Sequence, residues 1–301
     1  MKKIIFVIFI CLLNYAVLYA GGIISTDEAY ELLTKGENIK FVDARLQLKK
    51  TFIKGHIPGA VSLSQLNTTY KQYGAVMKMF SADELARIFR KFGLDSDETI
   101  IVYGNGKKNT SYSYSTYIIA LLNYVGINDT SLLNGGYEKW QAEGKPLEKG
   151  YVMPLASQFE LINIDESVYS DMQFIKDNLS AENVVFIDAR KISQFRGEDS
   201  DKRLVRHGRI PGARHMFLGD FVKNVNGYWL LLSKKELMDM PVVASVSENE
   251  HAVAISYCNT GSIASAPWFV FKYILNMDNK VKIYDGSMVE YSRSELPIEQ
   301  D

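Results

Sequence analysis

Cysteine is almost missing from this chain. Two occur in 301 residues, Cys11 and Cys258. Cys11 falls inside a short apolar run near the N-terminus, so the body of the protein carries one thiol. One thiol closes no intramolecular disulfide, which excludes a fold held together by such bridges. Histidine is scarce too, at four residues. His207, His215 and His251 stand in no ligand spacing with a cysteine pair, so no zinc site is expected. Charge of neither sign is in excess. The formal net charge is −1, which gives no support to a nucleic-acid partner.

Long hydrophobic runs are missing as well, with one partial exception. Ile4 to Leu13 is continuously apolar, but it is short for a membrane span and Asn14 interrupts it. Lys2 and Lys3 precede it and Leu18-Tyr19-Ala20 follows, so residues 1–20 are expected to be a secretory signal peptide. The competing reading is an uncleaved anchor. The Lys, Ile and Asn usage has a bacterial character, so the periplasm is the expected location, with no stable membrane association after cleavage. Cleavage would take Cys11 away and leave Cys258 as the sole thiol. A lone thiol in an exported protein points to a reactive group.

What remains is ordinary globular material, 47% hydrophobic and long enough for two domains. Ser25-Thr26-Asp27-Glu28 starts a helix, and Asn38 to Val42 reads as a buried strand ending at Asp43-Ala44-Arg45. Gly55-His56-Ile57-Pro58-Gly59-Ala60 leads into a short strand at Val61-Ser62-Leu63. A helix capped at Ser81 runs to Phe92, and strands follow at Thr99 to Tyr103 and Thr130 to Leu133, with a helix from Tyr112 to Tyr124 between them. Short strands alternating with helices predict a parallel sheet flanked by helices.

The same order then recurs. Phe41-Val42-Asp43-Ala44-Arg45 returns as Phe186-Ile187-Asp188-Ala189-Arg190. Gly55-His56-Ile57-Pro58-Gly59-Ala60 returns as Gly208-Arg209-Ile210-Pro211-Gly212-Ala213. Ile101-Val102-Tyr103-Gly104 matches Ile255-Ser256-Tyr257-Cys258, and Leu133-Asn134-Gly135-Gly136 matches Tyr284-Asp285-Gly286-Ser287. Four landmarks in one order mean a tandem duplication of a domain-sized unit. The expected domains are residues 21–150 and 160–301, joined where Gly150 and Pro154 break the pattern.

Within that frame Cys258 ends an apolar run, Ala252 to Tyr257, and precedes a helical pattern. A loop of small residues, Asn259-Thr260-Gly261-Ser262-Ile263-Ala264, carries the chain from one to the other. Backbone N–H groups at such a strand-to-helix turn favour an anion, here a thiolate. Gly261 would let the loop curl, and a helix is expected from about Ser262. The first half has Gly104 at the matching place, so it would be a non-catalytic partner. The bland alternative is a buried, inert thiol.

These residues resemble a tandem-domain rhodanese. The resemblance rests on Asp-Ala-Arg after a strand, Gly-His-Ile-Pro-Gly-Ala, the cysteine loop and Tyr284-Asp285-Gly286-Ser287, and runs from about Ile24 to Arg293. It implies two rhodanese-like α/β domains, each a parallel sheet with helices on both faces, and an active site in the second at the domain interface. It also implies sulfur transfer through a persulfide on Cys258, chemistry that needs no metal and no organic cofactor. The donor would be a small anion, thiosulfate or 3-mercaptopyruvate, and the acceptor cyanide or a thiol. The amides of Asn259 to Ala264 would cradle the persulfide.

Arg190 matches the first of the family's two donor-binding arginines; the second falls at Gln194, with Arg196 two residues on as a substitute. Arg203 and Arg206 read as a solvated face. The neutral Asn259-Thr260 is more similar to a mercaptopyruvate sulfurtransferase loop, with Thr260 in place of a serine. His56 is read as a packed histidine first and a hydrogen-bonding site residue second. A related cysteine phosphatase would need an arginine where Ala264 stands. The remaining alternative is a periplasmic carrier of sulfane sulfur with little turnover. Oligomeric state is left open.

Overall fold

A computed structural model describes residues 21–46, 50–63, 69–72, 76–151, 153–199 and 201–301. The expected signal peptide and Cys11 lie outside the described residues. The first half contains β1 (Gly22–Ile24), α1 (Thr26–Lys35), β2 (Ile39–Asp43), β3 (Val61–Ser62), β4 (Thr69–Gln72), β5 (Val76–Met79), α2 (Ala82–Lys91), β6 (Thr99–Tyr103), α3 (Ser113–Tyr124), β7 (Thr130–Leu133) and α4 (Gly136–Ala142). Its main sheet is parallel, in the order β1-β7-β6-β2-β3. The second half repeats this with β8 (Tyr169–Ser170), α5 (Met172–Asn178), β9 (Val184–Asp188), α6 (Ile192–Arg196), β10 (Arg214–His215), β11 (Val222–Val225), β12 (Tyr228–Leu231), α7 (Lys234–Met238), α8 (Pro241–Ser247), β13 (Val253–Tyr257), α9 (Ser265–Phe269), β14 (Val281–Tyr284) and α10 (Ser287–Tyr291). Its parallel sheet, β8-β14-β13-β9-β10, has the same strand order.

The central strands are apolar on both faces, which is what places helices on both. In β6, Ile100 and Val102 enter one core, while Ile101 and Tyr103 face another with Trp140 of α4. Helix starts follow their caps. Ser25, Ser81 and Ser233 each close a capping box with a glutamate three residues on. Helix α3 is buried nearly all round, because it packs on its own sheet and also on α9 of the second half. Buried hydroxyls tie that contact, with Thr116 Oγ1 and Ser265 Oγ 2.8 Å apart. Tyr273 adds a second tie by donating to Asn123 Oδ1 at 2.6 Å.

Two short hairpins, β4–β5 and β11–β12, were not anticipated, and each reaches the other half. Met79 N donates to Asp285 Oδ2 at 3.3 Å, and Leu231 N donates to Asn134 Oδ1 at 3.1 Å. The duplication is therefore also a reciprocal clasp.

Candidate active site

β6 and β13 are matched strands whose ends differ. β6 runs out at Gly104, where a Cβ would stand 2.3 Å from Ser111 O and 2.9 Å from Ser115 Oγ. No side chain fits there. The cause is loop length: residues 105–112 separate Gly104 from α3, whereas residues 259–264 separate Cys258 from α9. The longer loop folds back over its glycine, and the shorter one leaves room for a thiol.

Cys258 is a buried free cysteine. Its amide donates to Ser287 Oγ at 3.1 Å, and its carbonyl accepts from Met288 N at 3.0 Å, so its backbone is pinned to the start of α10. The amide of Thr260 donates to Sγ at 3.4 Å. Gly261 takes φ +84°, and a Cβ there would meet Asp285 O at 2.7 Å, so the loop turns tightly against β14's end. The helix starts at Ser265, three residues later than expected. Ser262 to Ala264 form tight turns instead, with Ser265 N on Ser262 O at 3.4 Å and Ala266 N on Ile263 O at 3.0 Å.

A cavity of about 370 Å³ opens beside the thiol, and both halves line it. Cys258, Asn259, Thr260, Ser262 and Ile263 come from the loop; Thr110, Ser113 and Tyr114 come from the first half. The cation on its wall is Arg203, which donates to Asp201 Oδ1 at 2.7 Å. The hydrogen bond that Arg203 donates to Asp201 raises the Arg203 pKa above its ordinary value, against some desolvation, with a smaller contribution from Cys258. A hydroxyl-rich hollow with one guanidinium and one thiol suits a small anion that a sulfur nucleophile attacks.

The family model of the rhodanese-like domain matches this chain twice, over residues 25–143 and 171–294. The chain belongs to the rhodanese family. A thiosulfate sulfurtransferase of Corynebacterium glutamicum is 28% identical, over 81% of this chain and 80% of its own. The sulfur carrier protein TtuD of Thermus thermophilus is 28% identical, over 89% of this chain and 93% of its own. Among solved structures, YnjE superposes with a TM-score of 0.79 at 21% identity, covering 92% of this chain and 68% of its own. An EanB variant in complex with ergothioneine reaches 0.78 at 21% identity, with 92% and 70% covered. These two establish likeness of fold.

In this rhodanese the expected donor arginines are not on the cavity wall. Arg190 is 3% exposed; its Nε and Nη2 clamp Asp188, and Nη2 also donates to Gly208 O at 2.7 Å. Arg45 makes the same bonds to Asp43 and Gly55 O in the first half, so this arginine braces the fold of each domain. Burial works against the Arg190 charge, but the hydrogen bond and charge of Asp188 outweigh it and leave its pKa raised. Arg196 also departs from its expected role, because it lies on α6 half-exposed, 3.6 Å from Asp301 and 3.8 Å from Glu198. His56 is likewise absent from the wall. It stacks on Phe52 at 3.9 Å, bonds Phe52 O at 3.0 Å and pairs its backbone with Glu148. Gln194 does reach the loop, its Oε1 accepting from Asn259 Nδ2 at 3.2 Å.

Arg203, expected on a solvated face, is the arginine that reaches the thiol's cavity. The available signal was Asp201-Lys202-Arg203, which repeats the Asp-x-Arg spacing of Asp188-Ala189-Arg190. Thr110, Ser113 and Tyr114 were also missed; their signal was a hydroxyl-rich stretch just before a helix opposite the cysteine loop. Among the described residues, no helix is long and apolar enough to cross a membrane, and no group of three or more His, Cys, Asp or Glu could hold a metal.

Proposed function

We propose that this rhodanese is a sulfurtransferase whose nucleophile is Cys258, with the second domain catalytic and the first a non-catalytic partner. The observation that carries the reading is the single free thiol opening on a small interdomain cavity with one arginine. The donor is thiosulfate or 3-mercaptopyruvate. With thiosulfate, Sγ as thiolate attacks the outer sulfur, the S–S bond breaks, and sulfite leaves with its electron pair. With 3-mercaptopyruvate, the carbon–sulfur bond breaks and the leaving enolate takes a proton to become pyruvate. The Cys258 persulfide then yields its terminal sulfur to cyanide or a thiolate, and the Cys258 thiolate returns. Thr260 N already bonds Sγ, and Arg203 balances the donor's charge.

A carrier of sulfane sulfur with little turnover is the second reading. Gln194, which stands where a second donor-binding arginine was expected, is neutral and holds Asn259, and Arg203 is shared with Asp201. The TtuD relative bears a carrier's name. The Lys2-Lys3 start and the Ile4 to Leu13 run support export to the periplasm, which cell fractionation tests.

Mass spectrometry after each donor should find one extra sulfur atom on Cys258, and Cys258→Ser should abolish labelling and transfer. Transfer surviving in that variant would sink the proposal. Labelling without steady turnover to cyanide or thiols would select the carrier.

A further inference from the structure

Asn134 and Asp285 follow β7 and β14 at matched places, and each takes an N–H from the opposite hairpin. The match stops there. Asn134 Oδ1 also lies 3.1 Å from the Tyr112 hydroxyl, whose shorter contact is to Trp229 O at 2.5 Å. Tyr112 immediately precedes α3, and the residue immediately preceding α9 is Ala264, which has no hydroxyl. Asp285 Oδ1 is accordingly buried with no partner, in a residue that is 8% exposed. Leaving such an oxygen unpaired is costly, so a group that answers it has an energetic advantage.

Asp285 lines a second interdomain cavity, of about 760 Å³, whose wall shares no residue with that of the Cys258 cavity. Tyr169 lines it too, and its hydroxyl is also buried and unpartnered, at 9% residue exposure. The rings of Tyr124 and Tyr169 meet edge to face at 5.4 Å and 90°, and Phe80 and Phe174 extend the aromatic wall. Carboxylates outnumber cations on the wall: Asp285, Glu84, Glu166 and Asp171 stand against Lys78, which pairs with Glu290 at 2.6 Å, while Lys282 lies 5.8 Å from the centre of the Phe174 ring and donates to Glu166 O.

We propose that this cavity binds a small organic cation with an apolar body, its charge answered by Asp285 and its body held against Tyr124, Tyr169 and Phe174. Aromatic faces and a desolvated carboxylate together select an ammonium over a neutral isostere. Burial pushes the Asp285 carboxyl up to about 7, opposed by the Met79 amide and Lys78 and aided by Glu290. The phenols of Tyr117, Tyr124, Tyr169 and Tyr284 also face it, and burial raises the pKa of all four above its ordinary value. The cation requires the ionised form, so binding tightens as pH rises through that value.

The test titrates the full chain with benzylamine and, separately, with neutral benzyl alcohol, by calorimetry and amide NMR. Benzylamine should bind at least about ten-fold more tightly, and Asp285→Asn should remove that preference. Its affinity should rise from about pH 6 to about pH 8, and the shifted amides should include Glu84 and Phe174. Phe174→Ala, a partly exposed wall position, should weaken binding without unfolding the chain. Equal affinities for amine and alcohol, undiminished binding in Asp285→Asn, shifts confined to Thr110 and Ser113, or no binding at all would each overturn the proposal.

Discussion

Replacing Asp285 by asparagine tests the energetics of the domain interface directly. The buried carboxyl titrates at about 7 in the folded protein against an ordinary 3.8, with burial the chief cause. A raised acid pKa means that the folded state holds the proton more tightly than the unfolded chain does. Between those two values the folded state binds more protons, so stability falls as pH rises. At about 1.4 kcal/mol per pH unit, the ionised form costs up to roughly 4 kcal/mol above neutrality and under about 1 kcal/mol near pH 4. An amide carries no ionisation cost, and Asn134 shows that one fits the matched place, with its Oδ1 accepting from Leu231 N. Asp285→Asn should therefore be more stable than the parent by a few kcal/mol near pH 8, with most of the gain gone near pH 4. Urea unfolding of both proteins at the two pH values measures this, with equal m values as the control. A pH-independent difference, or a parent protein whose stability does not fall between mild acid and mild base relative to the variant, would refute the reasoning.

Three other substitutions separate bracing residues from site residues. Arg190→Ala leaves the fully buried Asp188 carboxylate without its cation and should cost about 3–5 kcal/mol in urea melts; an undisturbed melt with a raised KM would return Arg190 to the donor site. Arg203→Ala should raise the thiosulfate KM about ten-fold with little change in stability, because this side chain is 38% exposed and its ion pair contributes little. Tyr112→Phe strips a hydroxyl that donates to Trp229 O at 2.5 Å and accepts from Gly135 N at 2.8 Å, and should cost about 1–3 kcal/mol in the same melts.

The repeated domain, its parallel sheets and the strand ending at Cys258 were legible in the sequence because each rests on local periodicity or on a motif present twice. Parts of the site were not, because they depend on pairs far apart in the chain. Asp188 consumes Arg190 through a bond two residues long, yet nothing local says whether such an arginine braces its own strand or faces a ligand. Arg203 has the same Asp-x-Arg spacing and does reach the cavity, since its side chain is not enclosed by a sheet. Thr110, Ser113 and Tyr114 enter only when α3 packs on α9, a contact between halves that a pattern within either half does not announce. The hairpins escaped for a related reason: each is short, and what it bonds lies in the other domain.

Three departures between the matched halves converge on one loop. Gly104 becomes Cys258, the segment before the helix loses two residues, and Tyr112 gives way to Ala264. The shorter loop opens space for Sγ, but it also brings Gly261 against Asp285, where no hydroxyl now satisfies Oδ1. In the first half the same place is an amide, neutral, with its Oδ1 accepting from Leu231 N. Keeping a carboxylate where an amide would serve the clasp equally well makes sense only if the charge has a use. The loop that carries the thiol thus rests against Asp285, whose Oδ1 is buried without a partner and which lines the second interdomain cavity.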